Sequence, residues 1–414
     1  MINTRTINKF YLKIFIVLIA FEHFIGINFI IYNFKYTNQA ISNTTTSVSN
    51  FIEPEEEVNN IRNYLEFVFN GTLIDKIDIF HQNNNPKISV IITVYNGEAY
   101  LKTALLSIQN QDFKDIEIIM IDDCSMDNSV ILIKKLMLKD KRIKLWINEK
   151  NKGMLYTKTK GVLLAKGKYI LLLDVDDAFG QRDMFSTLYK EAEKNNLDML
   201  DFRWIGSSPK LKNLIIEKSR KEFPVIFQPQ LSEMTFKHTN TGSIIMAGGL
   251  LSTLFMKRNI LVKIIKEVDI KYLNDYMNSH DDLMLHFLLT RSAYNYKKID
   301  RVFYIVLTGW NITNEKIQFR MRVKSKRAKY MRCNSVLNFI EFSLYKTKNT
   351  TYDKKIAFYS LNRWFLNYWC RNFSETIQKG INISKQFLRN PYIQDEDKKQ
   401  IKDFLKEVNV SINI

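Results

Sequence analysis

The pattern of apolar and polar positions between residues 86 and 205 predicts a sheet of buried strands connected by helices. Continuous apolar or β-branched runs are typical of strands buried on both faces, and they occur at 88–95, 116–121, 143–147 and 169–173. Apolar residues at helical spacing predict the intervening helices at 97–109, 127–139 and 151–167. This alternation is characteristic of βαβ units, so the pattern predicts an α/β fold with a doubly wound, mostly parallel sheet.

Beyond the fourth strand the pattern is less regular. A helix is predicted at 181–195 and a strand at 197–205, after which loop signals become frequent. Residues 246–254 fit either a strand or a turn that enters a helix. A helix with an acidic first turn is predicted at 281–289, and basic positions alternate with aromatic ones beyond residue 320, which indicates a helical C-terminal region.

The fourth strand ends in the acidic sequence Asp174-Val175-Asp176-Asp177. Crowded carboxylates repel one another, and a bound cation removes that repulsion. Oxygen ligands suit hard ions such as Mg²⁺ or Mn²⁺, which also bind substrate phosphates, and open α/β sheets bind ligands at the carboxyl ends of their strands. The acids therefore predict a metal–diphosphate site, although taken alone they fit a solvated acidic turn equally well.

The N-terminal region has the pattern of a membrane anchor. Residues 1–13 form a basic tail, and residues 14–34 are apolar over the length that a spanning helix needs, with only Glu22 and His23 as interruptions. A cleaved signal peptide is the alternative, but no convincing small-residue cleavage site follows. The basic flank predicts a cytosolic tail and a lumenal catalytic domain. Polar residues then predict a stem at 35–85.

Composition narrows the range of partners. The formal net charge is +18 with a pI of about 9.5, which is compatible with nucleic acid, anionic lipid or an anionic substrate. No compact Lys/Arg block with interleaved aromatic residues occurs, so we expect no nucleic-acid binding. The three cysteines have neither metal-ligand spacing nor a disulfide pattern. Glycosylation sequons, which suit a secretory lumen, occur at Asn43, Asn70, Asn311, Asn349, Asn372, Asn382 and Asn409.

Four short motifs follow the predicted strands in order. They are Thr93-Val94-Tyr95-Asn96-Gly97, Asp122-Asp123-Cys124-Ser125-Met126-Asp127, Asn151-Lys152-Gly153, and Ala165 to Ile170 followed by Leu173 to Asp177. In order and spacing, over roughly residues 87–205, they resemble the family 2 glycosyltransferases, which have the GT-A fold. The resemblance implies a GT-A domain at 86–319, whereas the helical extension predicted at 320–414 rests on the residue pattern alone.

The resemblance also implies roles for individual residues. Nucleotide contacts are implied for Thr93, Tyr95, Asp123 and Asp176, with Asp123 accepting a hydrogen bond from the base and Asp176 approaching the ribose. Asp177 would ligate the Mn²⁺ or Mg²⁺ ion that bridges the diphosphate, with support from Asp174. Asp282, the second acid of Asp281-Asp282, would be the catalytic base.

Taken together, these features predict a membrane-anchored, inverting glycosyltransferase. It would transfer a sugar from a UDP-linked nucleotide-sugar donor to a glycan, protein or lipid acceptor. It would be a single-pass type II membrane protein with its catalytic domain in the lumen of the Golgi or the ER. Cys124, Lys158 and Thr159 depart from the family pattern, and the motif of processive synthases is missing, which argues against polymer synthesis. The alternatives are an inactive binding or scaffolding protein and a nucleotidyltransferase, although the first turn lacks the Gly-rich basic loop of the latter.

Overall fold

The computed structural model describes residues 85–207, 223–228, 230–231, 236–238, 244–246, 251–267, 281–307, 374–389 and 395–407, with a few single positions outside these ranges. Within them, the four predicted strands are confirmed to within two residues. They are β1 (Ile88–Val94), β2 (Ile116–Asp122), β3 (Ile143–Ile147) and β4 (Tyr169–Asp174). All are parallel, in the spatial order β3-β2-β1-β4.

Helices connect these strands as the pattern predicts. They are α1 (Leu101–Gln109), α2 (Ser129–Lys139), α3 (Met154–Leu164) and, after β4, α4 (Met184–Lys194). Successive residues of β1 contribute to different hydrophobic clusters: Ile91 belongs to one, whereas Val90 and Ile92 belong to the other. Both faces of the sheet are therefore covered, which explains why β1 has a continuous apolar run instead of an alternating one.

The second half of the sheet corrects the prediction of a mostly parallel arrangement. Its strands are β5 (Ala178–Phe179), β6 (Met199–Ser207), β7 (Ile226–Phe227), β10 (Leu254–Lys257) and β11 (Asn295–Leu307), while β8 (Phe236–His238) and β9 (Ile244–Met246) form a separate pair. The main sheet continues from β4 in the order β10-β6-β11-β5. Because β10, β5 and β7 run antiparallel to their neighbours, the described sheet is mixed.

Four further helices lie outside the region of the resemblance: α5 (Arg258–Glu267), α6 (Asp281–Ser292), α7 (Ser374–Leu388) and α8 (Asp395–Glu407). Phe387 of α7 and Leu405 of α8 are buried in the same hydrophobic cluster as Leu261 of α5 and Leu289 of α6. The two described C-terminal helices therefore pack on the α/β domain.

The predicted membrane span at 14–34 lies outside the described residues. Among the helices that the structure does describe, none combines the length and apolar character needed to cross a bilayer. One residue of the predicted stem, Tyr64, is buried: its hydroxyl donates to the Ser107 carbonyl at 2.9 Å and accepts from the Gln111 amide at 3.2 Å. At this position, the chain packs against α1 instead of standing apart from the domain.

Candidate active site

Strand pairing brings the motif residues to one edge of the sheet. The register between β1 and β2 places Val94 opposite Asp122, and the register between β1 and β4 places Thr93 opposite Asp174. These strands are parallel, so their carboxyl ends, and the turns that follow them, lie at the same edge. The edge therefore collects all the predicted nucleotide and metal residues: Thr93, Tyr95, Asp123, Asp174, Asp176 and Asp177.

The turns after β1 and β2 are joined by hydrogen bonds. The Asn96 N–H donates to the Ser125 hydroxyl at 2.9 Å, and the Met126 N–H donates to the Asn96 side-chain oxygen at 2.8 Å. Asn96 and Cys124 both adopt the left-handed conformation, with φ of 51° and 65°. These contacts fix the backbone on both sides of Tyr95, whose side chain is 40% exposed and is free to stack on a planar ligand.

Asp123 is buried at the end of β2 and organises the third motif. One carboxylate oxygen accepts from the Asn148 amide at 2.9 Å and the Lys152 N–H at 2.8 Å, and the other accepts from the Gly153 N–H at 2.8 Å. Gly153 has a φ of 85°, which favours glycine. A carboxylate has roughly four lone-pair sites, so these three bonds leave capacity for one further donor.

Asp174 ends β4 among polar neighbours. Its Oδ1 atom accepts a long hydrogen bond from the Thr93 hydroxyl at 3.5 Å, and the Lys158 ammonium group of α3 lies 3.7 Å from the same atom. The Asp174 side chain is 27% exposed, whereas that of Lys158 is 2% exposed. The arrangement places a buried positive charge directly behind the acidic turn.

Asp176 and Asp177 follow in the same turn but differ in their surroundings. Asp176 is exposed at the surface, although protein atoms crowd its carboxyl group; this crowding and the charge of Asp174 raise its pKa. Asp177 is buried, and its two oxygens accept from the Tyr304 hydroxyl at 2.7 Å and the Leu307 N–H at 3.0 Å. Burial, Asp176 and Asp174 together raise the pKa of Asp177 to about 8.

The acidic turn suits a hard divalent cation. Within the described ranges, no three His, Cys, Asp or Glu side chains are arranged to enclose a metal ion. Mg²⁺-type ions, however, are commonly bound through only one or two carboxylates together with substrate phosphates. Asp174 and Asp176 offer partly exposed oxygens. The pKa of Asp176 is raised first by desolvation and then by the charge of Asp174, and a cation would relieve the second of these.

Asp282 lies in the first turn of α6. Its side chain is outside the described part of the structure, so its role as catalytic base stays a prediction. Sequence reasoning missed Tyr304 and Leu307, which contact the acidic turn from β11. The apolar run from Val302 to Leu307 signals a strand, but nothing in that run indicates which residues it contacts.

Comparison with known proteins shows what this site is similar to. Residues 89–250 match the sequence profile of glycosyl transferase family 2. Over these residues, which are less than half of the chain, the protein is similar to that family. It is 45% identical over 94 residues to an uncharacterized glycosyltransferase of Haemophilus influenzae, covering 23% of this chain and 38% of that protein. It is 40% identical over 110 residues to the GalNAc(5)-diNAcBac-PP-undecaprenol beta-1,3-glucosyltransferase of Campylobacter jejuni, covering 26% and 35%. The matched part thus spans less than two-fifths of the length of these two relatives.

Solved structures support the fold. The structure of S. aureus TarS residues 1–349 in complex with UDP-GlcNAc matches with a TM-score of 0.51 and 17% identity, covering 77% of this chain and 85% of that one. The described domain thus has a GT-A-like α/β fold with a mixed sheet and flanking helices.

The relatives overturn the predicted location. They are bacterial proteins, from organisms that include H. influenzae, C. jejuni and Bacillus subtilis, and bacteria have neither a Golgi apparatus nor an ER. The prediction of a type II membrane protein with its domain in the lumen of those organelles is wrong. The interpretation of the sequons as lumenal glycosylation sites loses its basis with it.

Proposed function

We propose that this domain transfers a sugar from a UDP-linked nucleotide-sugar donor to an acceptor hydroxyl with inversion at the anomeric carbon. One observation carries the proposal: the parallel strand ends bring an exposed aromatic ring, Tyr95, and three carboxylates, Asp174, Asp176 and Asp177, to one edge of the sheet. A base-stacking surface beside an acidic turn suits a nucleotide diphosphate bound with a cation.

In the proposed complex, the chain's own residues position the donor. Tyr95 stacks on the base, and the remaining acceptor capacity of Asp123 receives the N–H of a uracil ring. Thr93 lines the pocket between them, while Asp176 approaches the ribose. TarS, which has a similar fold, binds UDP-GlcNAc, and this supports the choice of a UDP-sugar as the donor.

The acidic turn and α6 supply the chemistry in this proposal. A divalent cation, held by Asp177 and Asp174 or by the more exposed Asp176, would neutralise charge on the leaving diphosphate. The Asp282 carboxylate takes the proton of the acceptor hydroxyl, whose oxygen forms the new bond to the anomeric carbon. The bond between that carbon and the phosphate oxygen breaks, and the electron pair leaves with the nucleoside diphosphate.

The acceptor is proposed only as a class. The C. jejuni relative is named for a polyprenyl-diphosphate-linked glycan, so a lipid-linked or free glycan hydroxyl is the first choice to test, with a protein hydroxyl next.

The test uses the purified full chain and a panel of UDP-Glc, UDP-GlcNAc, UDP-Gal and GDP-Man with Mn²⁺. The preferred donor is the one that raises the thermal midpoint most, because a ligand that binds the folded state stabilises it. We expect Asp176→Ala and Asp177→Ala to lower release of the nucleoside diphosphate by about 100-fold or more. Glu193→Gln is the matched control. The Glu193 carboxylate accepts hydrogen bonds from Lys168 and Tyr169 at the opposite end of β4.

Asp282→Asn separates binding from chemistry. We expect it to retain the donor-induced thermal shift and to lose transfer, since it removes a proton acceptor without touching the strand ends. If no nucleotide sugar shifts the midpoint of the unaltered protein with Mn²⁺ present, the domain is a non-catalytic member of its family and the proposal fails.

A further inference from the structure

Strand β11 contacts the acidic turn, although it lies outside the residues that match the family profile. Tyr304 of β11 is completely buried, and its hydroxyl donates to the Oδ2 atom of Asp177 at 2.7 Å. The same hydroxyl oxygen accepts from the Asp174 N–H at 3.3 Å. A single side chain thus bonds the last residue of β4 and the last acid of the turn.

The backbone of β11 adds further contacts to the same segment. The Leu307 N–H donates to the Oδ1 atom of Asp177 at 3.0 Å, and the Gly180 N–H donates to the Phe303 carbonyl at 2.8 Å. Strand β5 pairs with β11 immediately after the turn, with Phe179 opposite Tyr304. The conformation of the acidic turn is therefore set by β11 as much as by β4.

We propose that Tyr304 is a positioning residue for the donor site: by bonding Asp177 and the Asp174 N–H, it sets the geometry in which the acidic turn receives a cation and diphosphate. The proposal rests on the proposed function, because it assumes that the turn binds these groups. Tyr304 itself is too deeply buried to touch a ligand. Its effect passes through Asp177, whose carboxylate would otherwise turn away from Asp174 and Asp176 to reduce their repulsion.

The chain offers a closely matched control on the same strand. Tyr296 of β11 is also buried, and its hydroxyl donates to an oxygen of the buried carboxylate Asp201, likewise at 2.7 Å. Tyr296→Phe removes a hydrogen bond of the same length to the same type of group. Asp201 lies on β6 and contacts Tyr296, Lys298 and Thr253, none of which is a residue of the acidic turn. Any difference between the two variants therefore reports on position and not on the general cost of deleting a buried hydroxyl.

The experiment measures binding of Mn²⁺ to the full chain by calorimetry, in the presence of saturating UDP. For Tyr304→Phe, we expect Mn²⁺ affinity to fall by about 10-fold or more. This is the range typical of residues that hydrogen-bond to a metal ligand without touching the metal. For Tyr296→Phe, we expect the affinity of the unaltered protein. In a protein that already carries Asp177→Asn, Tyr304→Phe should cause no further loss of Mn²⁺ affinity. Tyr304 acts through the Asp177 carboxylate, and that carboxylate is already gone.

The outcomes separate this proposal from the one on which it rests. If the unaltered protein shows no Mn²⁺-dependent UDP binding, the proposed function fails first. If it binds and the two tyrosine variants change affinity equally, or not at all, the role of Tyr304 is refuted while the proposed function stands.

Amide hydrogen exchange on the unaltered protein covers the case in which Tyr304→Phe does not fold. Binding of UDP and Mn²⁺ should slow exchange in residues 302–307, which contact the turn, and leave residues 295–298 of the same strand unchanged. Equal behaviour of the two halves of β11 would overturn the proposal without any variant.

Discussion

The Nζ atom of Lys158 lies 3.7 Å from the Oδ1 atom of Asp174, and the lysine side chain is almost completely buried. This ammonium group places a positive charge beside Asp174, and the same charge partly offsets the effects that raise the pKa of Asp176. It therefore supplies, within the protein, part of the charge balance that we expect a divalent cation to complete.

The first prediction concerns this charge. Lys158→Met leaves the acidic turn more negative. We expect the free energy of unfolding of the metal-free variant to be lower by about 3 kcal/mol, the lower end of the cost of removing one partner of a buried ion pair. Because the local potential is then more negative, Mn²⁺ alone should raise the thermal midpoint more than it does in the unaltered protein. Differential scanning calorimetry with and without Mn²⁺ measures both effects. Lys158→Arg keeps the charge and serves as the control; equal metal shifts in all three proteins would contradict the prediction.

The second prediction concerns Asp123. In Asp123→Asn, one oxygen is replaced by an NH₂ group that must face the backbone donors of Lys152 or Gly153. Leaving such a buried donor unsatisfied costs about 1–3 kcal/mol, so urea denaturation should show that loss. The turn that opens α3 should also loosen, which weakens UDP binding in a titration. If stability were unchanged and only UDP affinity fell, the carboxylate would act on the base alone and not on the turn.

The third prediction concerns Gly167, which precedes β4. A methyl group built at this position would approach the Ser89 backbone nitrogen to 2.5 Å and the Ile88 carbonyl carbon to 2.7 Å. Backbone atoms of a central strand cannot move aside, so Gly167→Ala should lower the free energy of unfolding by about 2–3 kcal/mol. Gly206→Ala is the control, because a methyl group there meets no atom within 4 Å. Comparable losses for the two variants in urea would exclude this close approach as the cause.

The fourth prediction concerns pH. Glu117 at the start of β2 accepts hydrogen bonds at 2.6 Å from the Ser89 hydroxyl, the Lys144 ammonium group and the Lys166 N–H. Burial alone would raise the pKa of Glu117, but these donors outweigh it and lower the pKa. A lowered pKa in the folded state stabilises the fold above the ordinary pKa of 4.5, and this stabilisation is lost as the pH falls through the lowered value.

Glu117→Gln should therefore be less stable than the unaltered protein at neutral pH, and the difference should close in acid. Urea unfolding at a series of pH values from neutral to strongly acidic measures it. Glu193→Gln removes a carboxylate whose pKa is also lowered but which is exposed, so its difference should be much smaller. A gap for Glu117→Gln that is independent of pH would show that lost packing, and not charge, is responsible.

The first half of the fold was predictable because its signals are local. Strands β1 to β4 are continuous apolar runs, and parallel pairing of such strands places Thr93 and Asp174 side by side without further information. The second half depends on pairing between distant segments. Strand β5 has only two residues, and β11 is interrupted by Lys297, Lys298, Asp300 and Arg301, with irregular register against β6 where the charges occur. Strand β5 is too short to be predicted from periodicity, and of β11 only the apolar run from Val302 to Leu307 is typical of a strand.

The candidate site divides in the same way. The motifs predict which acids lie at the strand ends, but they do not predict which of these acids is exposed and which is buried. Asp176 and Asp177 are neighbours in sequence, and one is exposed while the other is enclosed by β11. The Asp177 side chain is held by Tyr304 and Leu307, residues whose partners no local pattern identifies.

The bond between Asp177 and Tyr304 spans 127 positions of the chain. A ribosome therefore completes the acidic turn long before it adds the tyrosine that bonds it. During that interval, the nascent chain carries the four motifs at the strand ends but lacks the Tyr304 hydroxyl and the Leu307 amide that hold Asp177. A fragment cut at residue 250, where the matched segment ends, would keep those motifs without the two contacts that hold the last carboxylate.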